Sequence, residues 1–190
     1  MARWEPGARE RLQAAALDLF AARGFEQTTA ADIAQSVGLT ERTFFRYFTD
    51  KREVLFAGQG IFQGVFIDGV VAAPADASTM DTVEFALRSA SSFFPDERRP
   101  YSRLRQTVID ANPSLQEREL LKMAWLGAGI AAALRDRGIP EPHATLAAET
   151  GVTVFGVAFG QWIADGEERS LADIESDILR DLRTLTAPAA

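Results

Sequence analysis

Residues 40–48 read TERTFFRYF, so three phenylalanines and a tyrosine lie among two arginines. On a helix with about 100° between successive residues, this stretch divides into two sides. One side carries Arg42, Thr43, Arg46 and Tyr47, and the other carries Phe44, Phe45 and Phe48. We therefore expect the phenyl rings to pack into the protein and the two guanidinium groups to face outward.

The segment before this stretch predicts a second short helix, joined to it by a tight turn. Thr29 and Asp32 have the spacing of a capping box, Gly38 ends that helix within SVGLT, and Thr40 caps the next one. For an arbitrary helix, a polar side simply meets water. Two short helices around a glycine turn, the second with a bulky apolar side, are instead typical of a helix-turn-helix motif, whose second helix enters the DNA major groove.

Helical periodicity continues through the whole chain, and glycine, proline and capping residues separate the segments. We predict an all-α fold of about nine helices, which cover approximately residues 7–23, 29–37, 40–48, 50–71, 78–94, 101–111, 113–137, 142–165 and 170–185. The most apolar stretch, residues 152–164, is shorter than the roughly 20 residues that span a bilayer. We expect no membrane contact and a cytoplasmic location.

Composition argues against catalysis and metal binding. The 190 residues include no cysteine and a single histidine, His143, so thiolate sites are excluded and little is left for zinc. We expect no enzyme activity, no cofactor and no metal. The net charge of −7 is uneven, because residues 1–52 have a balance of +1 and residues 53–190 one of −8. This division predicts a domain over 1–52 that approaches phosphates and an acidic domain over 53–190.

The stretch TTAADIAQSVGLTERTFFRYFTDKREVL, residues 28–55, resembles the DNA-binding signature of TetR-family transcriptional repressors. The resemblance extends over residues 9–55, whereas the remainder agrees only in helical content and length. It implies an N-terminal three-helix DNA-binding domain and a C-terminal domain for effector binding and dimerisation. The implied function is a sequence-specific regulator, a repressor that a small-molecule effector releases from a palindromic operator of double-stranded DNA.

The same resemblance assigns roles to individual residues. Thr29 and Lys51 align with phosphate-contacting residues, and the exposed face of the recognition helix aligns with Thr40, Arg42, Thr43, Arg46 and Tyr47. One departure is Phe45, which stands where many members have a tyrosine whose hydroxyl meets the DNA backbone. We therefore treat Phe45 as a packing residue.

The last two predicted helices have the apolar surface for a four-helix interface between two subunits. We predict a homodimer whose interface includes Gly151, Phe155, Leu171, Ile174, Ile178 and Leu182. Burial of these residues within one subunit is the alternative.

Aromatic side chains of the acidic domain are numerous enough to line an effector pocket. The candidates are Phe62, Phe66, Phe85, Phe93, Trp125, Phe155, Phe159 and Trp162, with Arg103 as a partner for an acidic effector. For each aromatic ring the alternative is simple core packing, and for Arg103 it is solvation. Four glycines, Gly58, Gly60, Gly64 and Gly69, weaken the helix that follows the DNA-binding domain. These glycines predict either that the helix transmits effector binding to the DNA-binding domain or that it packs closely against another helix.

Two other functions are compatible with a helical protein. A ligand-binding bundle or an enzyme without DNA binding is disfavoured by the shortage of catalytic residues. A nonspecific architectural DNA-binding protein is disfavoured by the acidic domain, because such proteins need extensive positive surface.

Overall fold

The computed structural model describes residues 7–186, and every regular element in this range is helical. The α-helices are α1 (Ala8–Arg23), α2 (Ala30–Ser36), α3 (Glu41–Tyr47), α4 (Glu53–Phe56), α5 (Gln59–Ala72), α6 (Thr79–Ser91), α7 (Arg99–Asp110), α8 (Pro113–Asp136), α9 (His143–Trp162) and α10 (Leu171–Thr186). A 3-10 turn at Asp96–Arg98 precedes α7. The predicted all-α class is confirmed. The outermost residues of both predicted domains, 1–6 and 187–190, lie outside the described range.

The segment predicted as one helix over residues 50–71 is two helices. Gly58 separates α4 from α5 and has φ +104°, a left-handed conformation that other residues rarely adopt. By length and composition alone, Glu53–Ala72 could cross a membrane, with a mean hydropathy of 1.5, whereas only residues 152–164 were considered from the sequence. Because the helix is interrupted and Phe62, Phe66 and Val70 are buried in the protein core, we assign the segment to the core.

The glycines of this segment have different environments. A Cβ atom on Gly69 would lie 2.7 Å from the Cα of Ala86, so α5 and α6 cross closely there. A Cβ on Gly60 or Gly64 would meet no other atom within 4 Å. Close packing therefore explains Gly69, and a backbone turn explains Gly58, but neither explains the other two.

Two compact units make up the chain. The first comprises residues 1–58 and 104–119, and the second comprises residues 59–103 and 120–190. Within the first, α1 packs against α2 and α4, and α2 packs against α3. Within the second, α6 packs against α5, α9 and α10, and α9 packs against α10. The first unit thus contains α4 and residues 104–119 in addition to α1, α2 and α3. The predicted domain boundary, in contrast, lies between residues 52 and 53. That boundary stays a prediction.

Candidate DNA-binding surface

The turn between α2 and α3 is built from local backbone and side-chain hydrogen bonds. The hydroxyl of Thr29 accepts from the amide of Asp32 at 3.1 Å, and a carboxylate oxygen of Asp32 accepts from the amide of Thr29 at 2.9 Å. The hydroxyl of Thr29 also donates to this carboxylate, which lowers the pKa of Asp32. At the other end of α2, the amides of Gly38 and Leu39 donate to carbonyls of the last helical turn, and Gly38 has φ +72°. The predicted capping box and glycine stop are confirmed.

Two phenylalanines hold α3 against the rest of the first unit. The side chains of Phe44 and Phe48 are 0% and 3% exposed, and their ring centroids lie 5.1 Å apart. Each fully buried ring contributes about 1.5 to 3 kcal/mol to the free energy of folding. Thr40 caps the helix, since its hydroxyl accepts from the amide of Thr43 at 3.2 Å. These contacts determine which side of α3 faces outward.

The outward side of α3 carries both arginines. Arg42 and Arg46 are exposed, and neither makes a hydrogen bond or ion pair with any residue in the range 7–186. Their guanidinium groups therefore keep all their donors for a ligand. Thr43 and Tyr47 were predicted on the same side, but both are only partly exposed.

Phe45 departs from its predicted environment. Its side chain is 51% exposed, although its ring contacts that of Phe44 edge to face, with a centroid distance of 5.4 Å. The prediction that all three phenylalanines pack inward is wrong for this residue. On a helical wheel Phe45 lies only about 60° from Arg42, and between Arg42 and the exposed Glu41, so once Phe44 and Phe48 are buried it must lie within the exposed side. The outward face is thus centred on Arg42 and Phe45.

Lys51 is engaged with the loop after α1. Its ammonium group donates to the carbonyl of Phe25 at 2.8 Å and lies within 3.5 Å of those of Glu26 and Thr28. It also lies 4.2 Å from the centroid of the Phe25 ring. These contacts hold the loop in place and occupy the donors that a phosphate would need. The phosphate contact suggested for Lys51 stays a prediction.

Comparisons with known proteins agree with this geometry. Residues 12–57 match the family described as bacterial regulatory proteins of the tetR family. The chain is 35% identical to the HTH-type transcriptional regulator TcmR of Streptomyces glaucescens over 81 residues, 43% of this chain and 36% of that protein. A TetR-family structure, Thermus thermophilus FadR in complex with lauroyl-CoA, is 25% identical, with a TM-score of 0.57 over 96% of this chain and 98% of that one.

Residues 12–57 are thus a DNA-binding domain of the tetR family, and the matches together support a TetR-family transcriptional regulator. It also resembles a Mycobacterium tuberculosis protein named as the mycofactocin biosynthesis transcriptional regulator MftR, with 27% identity over 157 residues, 79% of this chain and 77% of that protein. The predicted resemblance to the TetR family is confirmed. The match to TcmR spans about a third of that protein's length, 36%.

The second unit of this TetR-family regulator contains a packed aromatic cluster. It consists of Phe62, Phe66, Phe93, Phe94, Phe155, Phe159 and Trp162, with neighbouring ring centroids 5.0 to 5.9 Å apart. Six of these residues are among the predicted aromatic residues. Phe94 was missed, because its burial depends on the fold of the segment around Pro95 rather than on helical spacing. The rings fill the space between the helices with one another.

Three other predicted pocket residues do not join this cluster. Phe85 and Trp125 are 37% and 49% exposed, and their place in a pocket stays a prediction. Arg103 donates to the carbonyls of Ile163 and Ala164, just after α9, and pairs with Asp165. It therefore caps the end of a helix and does not point into an apolar pocket.

Most of the predicted dimer residues are buried inside a single subunit. Gly151, Phe155, Leu171 and Ile174 are buried, and a Cβ atom on Gly151 would lie 2.9 Å from a methyl carbon of Val83. They cannot also face a second subunit, so this part of the prediction is wrong. Ile178 and Leu182 are partly exposed. The apolar stripe of α10 covers the core of its own unit.

Within residues 7–186, no group of three or more His, Asp or Glu side chains is arranged to hold a metal ion.

Proposed function

We propose that this protein is a dimeric repressor that binds a palindromic operator through α3. The supporting observation is the outward face of α3, where Arg42 and Arg46 have unused donors above a buried phenylalanine anchor. Guanidinium groups bind guanine edges, and an apolar ring suits the thymine methyl group. We accordingly add Phe45 to the DNA-contacting residues, beside Thr29, Thr40, Thr43 and Tyr47. Two copies of α3 would have to lie about 34 to 36 Å apart, or a multiple of this, to reach successive major grooves.

Dimerisation needs a surface that a single subunit leaves open, and α9 has one. Leu146 and Val157 are 62% and 56% exposed. Thr153 and Gly160 are exposed as well and lie on the same side of the helix by their spacing. We propose that this face, together with Ile178 and Leu182 of α10, meets its symmetry mate. This replaces the buried residues predicted from sequence.

The effector is proposed to be an apolar or amphipathic molecule that opens the aromatic cluster. The cluster is the largest concentration of aromatic rings in the second unit, and the related FadR is described in complex with lauroyl-CoA. Lauroyl-CoA is therefore the first probe to use. In a variant with Trp4 and Trp125 replaced by phenylalanine, Trp162 is the remaining tryptophan, and quenching or a spectral shift of its fluorescence together with release from the operator would support an acyl effector. Retention of operator binding with no change in fluorescence would exclude this ligand class while leaving the DNA-binding proposal intact.

Effector binding is proposed to reach α3 through α4. The carbonyls of α4 are held by side chains of the same unit, since Gln13 donates to Ala57 at 3.3 Å and Arg105 to Leu55 at 2.9 Å. Arg118 also pairs with Glu53 at 2.6 Å. A shift of α5 at the left-handed Gly58 would strain these bonds and move α4 against α1. The coupling element predicted from the glycines is thus proposed to centre on Gly58.

Selection of bound DNA from a random pool tests the central proposal. The expected product is an inverted repeat whose half-site spacing matches two recognition helices on one face of the duplex. Recovery of sequences without symmetry, or of no enriched sequence at all, would contradict a palindromic operator. We propose further that the protein acts in the cytoplasm, without catalytic activity, metal or cofactor.

A further inference from the structure

A carboxyl group with one unpaired oxygen is buried between α6 and α10. Glu175 of α10 is 3% exposed, and its Oε2 accepts a hydrogen bond of 2.5 Å from the hydroxyl of Ser91 in α6. Its Oε1 is buried and has no hydrogen-bond partner among the described residues. A carboxylate in such a place would have lost its hydration without gaining a cation. Burial raises the pKa of Glu175 to about 8, against the opposing effect of the Ser91 hydrogen bond.

The charged groups of α6 do not compensate Glu175. Arg88 and Glu84 line the small pocket beside it. The guanidinium of Arg88 pairs with Glu84 at 3.2 Å, and that of Arg183, from α10, pairs with Asp81 and Glu84. Arg180 of α10 likewise pairs with Asp177, so the arginines of α6 and α10 are used by other carboxylates.

The other elements around α10 supply no compensating charge either. The titratable residues of α9 are His143 and Glu149, and both are exposed. In the segment before α10, Arg169 pairs with Glu167 and Asp177. Among the described residues, the Glu175 carboxyl group is thus hydrogen-bonded to the Ser91 hydroxyl and pairs with no cation.

We propose that Glu175 is a proton-dependent latch, so that docking of α10 against α6 takes up one proton. When α10 lifts away, the carboxyl group meets water and releases its proton at an ordinary acidic pH. The sign follows from linkage, because the docked state binds more protons than the undocked state between about pH 4.5 and about pH 8. Docking of α10 against α6 is therefore most favourable below this pH window, and its equilibrium constant falls as the pH rises through the window. One proton corresponds to about a tenfold change in the docking equilibrium for each pH unit.

The latch connects cytoplasmic pH to the surface proposed for dimerisation, since Ile178 and Leu182 lie on the same helix. This extension rests on the proposed function. The latch itself does not, and the experiment below needs neither DNA nor a dimer.

Hydrogen exchange of the α10 amides in the full chain tests the latch. Wild type is compared with Glu175→Gln, which preserves the shape and cannot ionise, at pH values from 5.5 to 7.5, inside the window that linkage defines. For each α10 amide, the exchange rate in wild type is divided by the exchange rate in the variant, and the intrinsic rate cancels in this ratio. The ratio of wild-type to variant exchange should rise about tenfold per pH unit. The matched control is Glu168→Gln, an exposed residue of the same unit, for which the ratio should stay constant.

A constant ratio for Glu175→Gln, or an equal rise for the control, would overturn the proposal. Should the variant fail to fold, the carboxyl carbon of Glu175 can be titrated by carbon NMR in the wild-type protein. A Glu175 pKa near 8 supports the latch, and a pKa near the ordinary glutamate value of about 4.5 refutes it.

Discussion

The arginines of α3 and the arginines of the second unit differ in what their donors meet. Arg42 and Arg46 are exposed and bond to nothing in residues 7–186. Arg137, in contrast, donates to four backbone carbonyls at the end of α5 and in the loop that follows, those of Val70, Val71, Ala73 and Pro74. Arg103 closes the end of α9 in the same way.

This difference separates two uses of one side chain. A guanidinium whose donors satisfy buried or terminal carbonyls stabilises the fold, because those carbonyls would otherwise be unpaired. A guanidinium with free donors on a rigid helix gives the fold little and is available to phosphates or base edges. In α3 the aromatic rings serve as the anchor that keeps the arginines outside.

The largest expected effect concerns that anchor. Replacing Phe44, which is fully buried, by alanine should lower the free energy of unfolding by about 3 to 5 kcal/mol through lost burial and a cavity. Phe45→Ala is the control, with a change below about 1 kcal/mol, because this ring is half-exposed. Urea denaturation followed by circular dichroism measures both. Equal losses would mean that Phe45 is also part of the core.

The next effect concerns the free arginines. Arg46→Ala should weaken binding to the selected operator by about 1 to 3 kcal/mol if its guanidinium reads a base edge, without changing stability. Gel-shift titrations on operator and random DNA measure the difference. Arg135→Ala, which removes an exposed arginine of the second unit paired with Glu141, is the control and should leave both affinities unchanged. An equal loss on the two DNAs for Arg46→Ala would remove it from base readout.

Lys51 belongs to the DNA-binding unit, but its donors bond to backbone carbonyls as those of Arg137 do. It therefore tests whether such a side chain can also bind DNA. Because its ammonium group bonds to carbonyls of the loop after α1, Lys51→Ala should lower the free energy of unfolding by about 1.5 kcal/mol. If these bonds persist when DNA is bound, the slope of operator affinity against salt concentration should stay the same. A slope reduced by about one unit, with stability unchanged, would instead identify Lys51 as a phosphate ligand.

The smallest effect concerns the two glycines around the α4–α5 break. Gly64→Ala should raise stability by roughly 0.5 to 1 kcal/mol, because Gly64 is helical and a Cβ there meets no other atom within 4 Å. Gly58→Ala should lower stability, because alanine is strained at φ +104°. Thermal unfolding of the pair tests this, and stabilisation by Gly58→Ala would remove the left-handed turn from the coupling proposal.

Local features of the fold were predictable because neighbouring residues produce them. The capping box at Thr29, the glycine turn at Gly38 and the inward position of Phe44 depend on residues within about one helical turn of each other. The break at Gly58 was missed because apolar periodicity continues on both sides of it. The exposure of Phe45 was missed because a helical wheel gives angles within a helix but not the width of the surface that neighbouring helices cover.

The sequence by itself determined that the chain is helical, that it carries a helix-turn-helix motif, and that α3 has one aromatic and one cationic side. Only the tertiary structure decided that Phe45 lies at the surface, that the apolar stripe of α10 covers its own unit, and that Glu175 is buried without a cation. The physical reason is the range of the interactions. Periodicity and capping are set by residues a few positions apart, whereas burial and pairing depend on helices that are distant in sequence and meet only after folding.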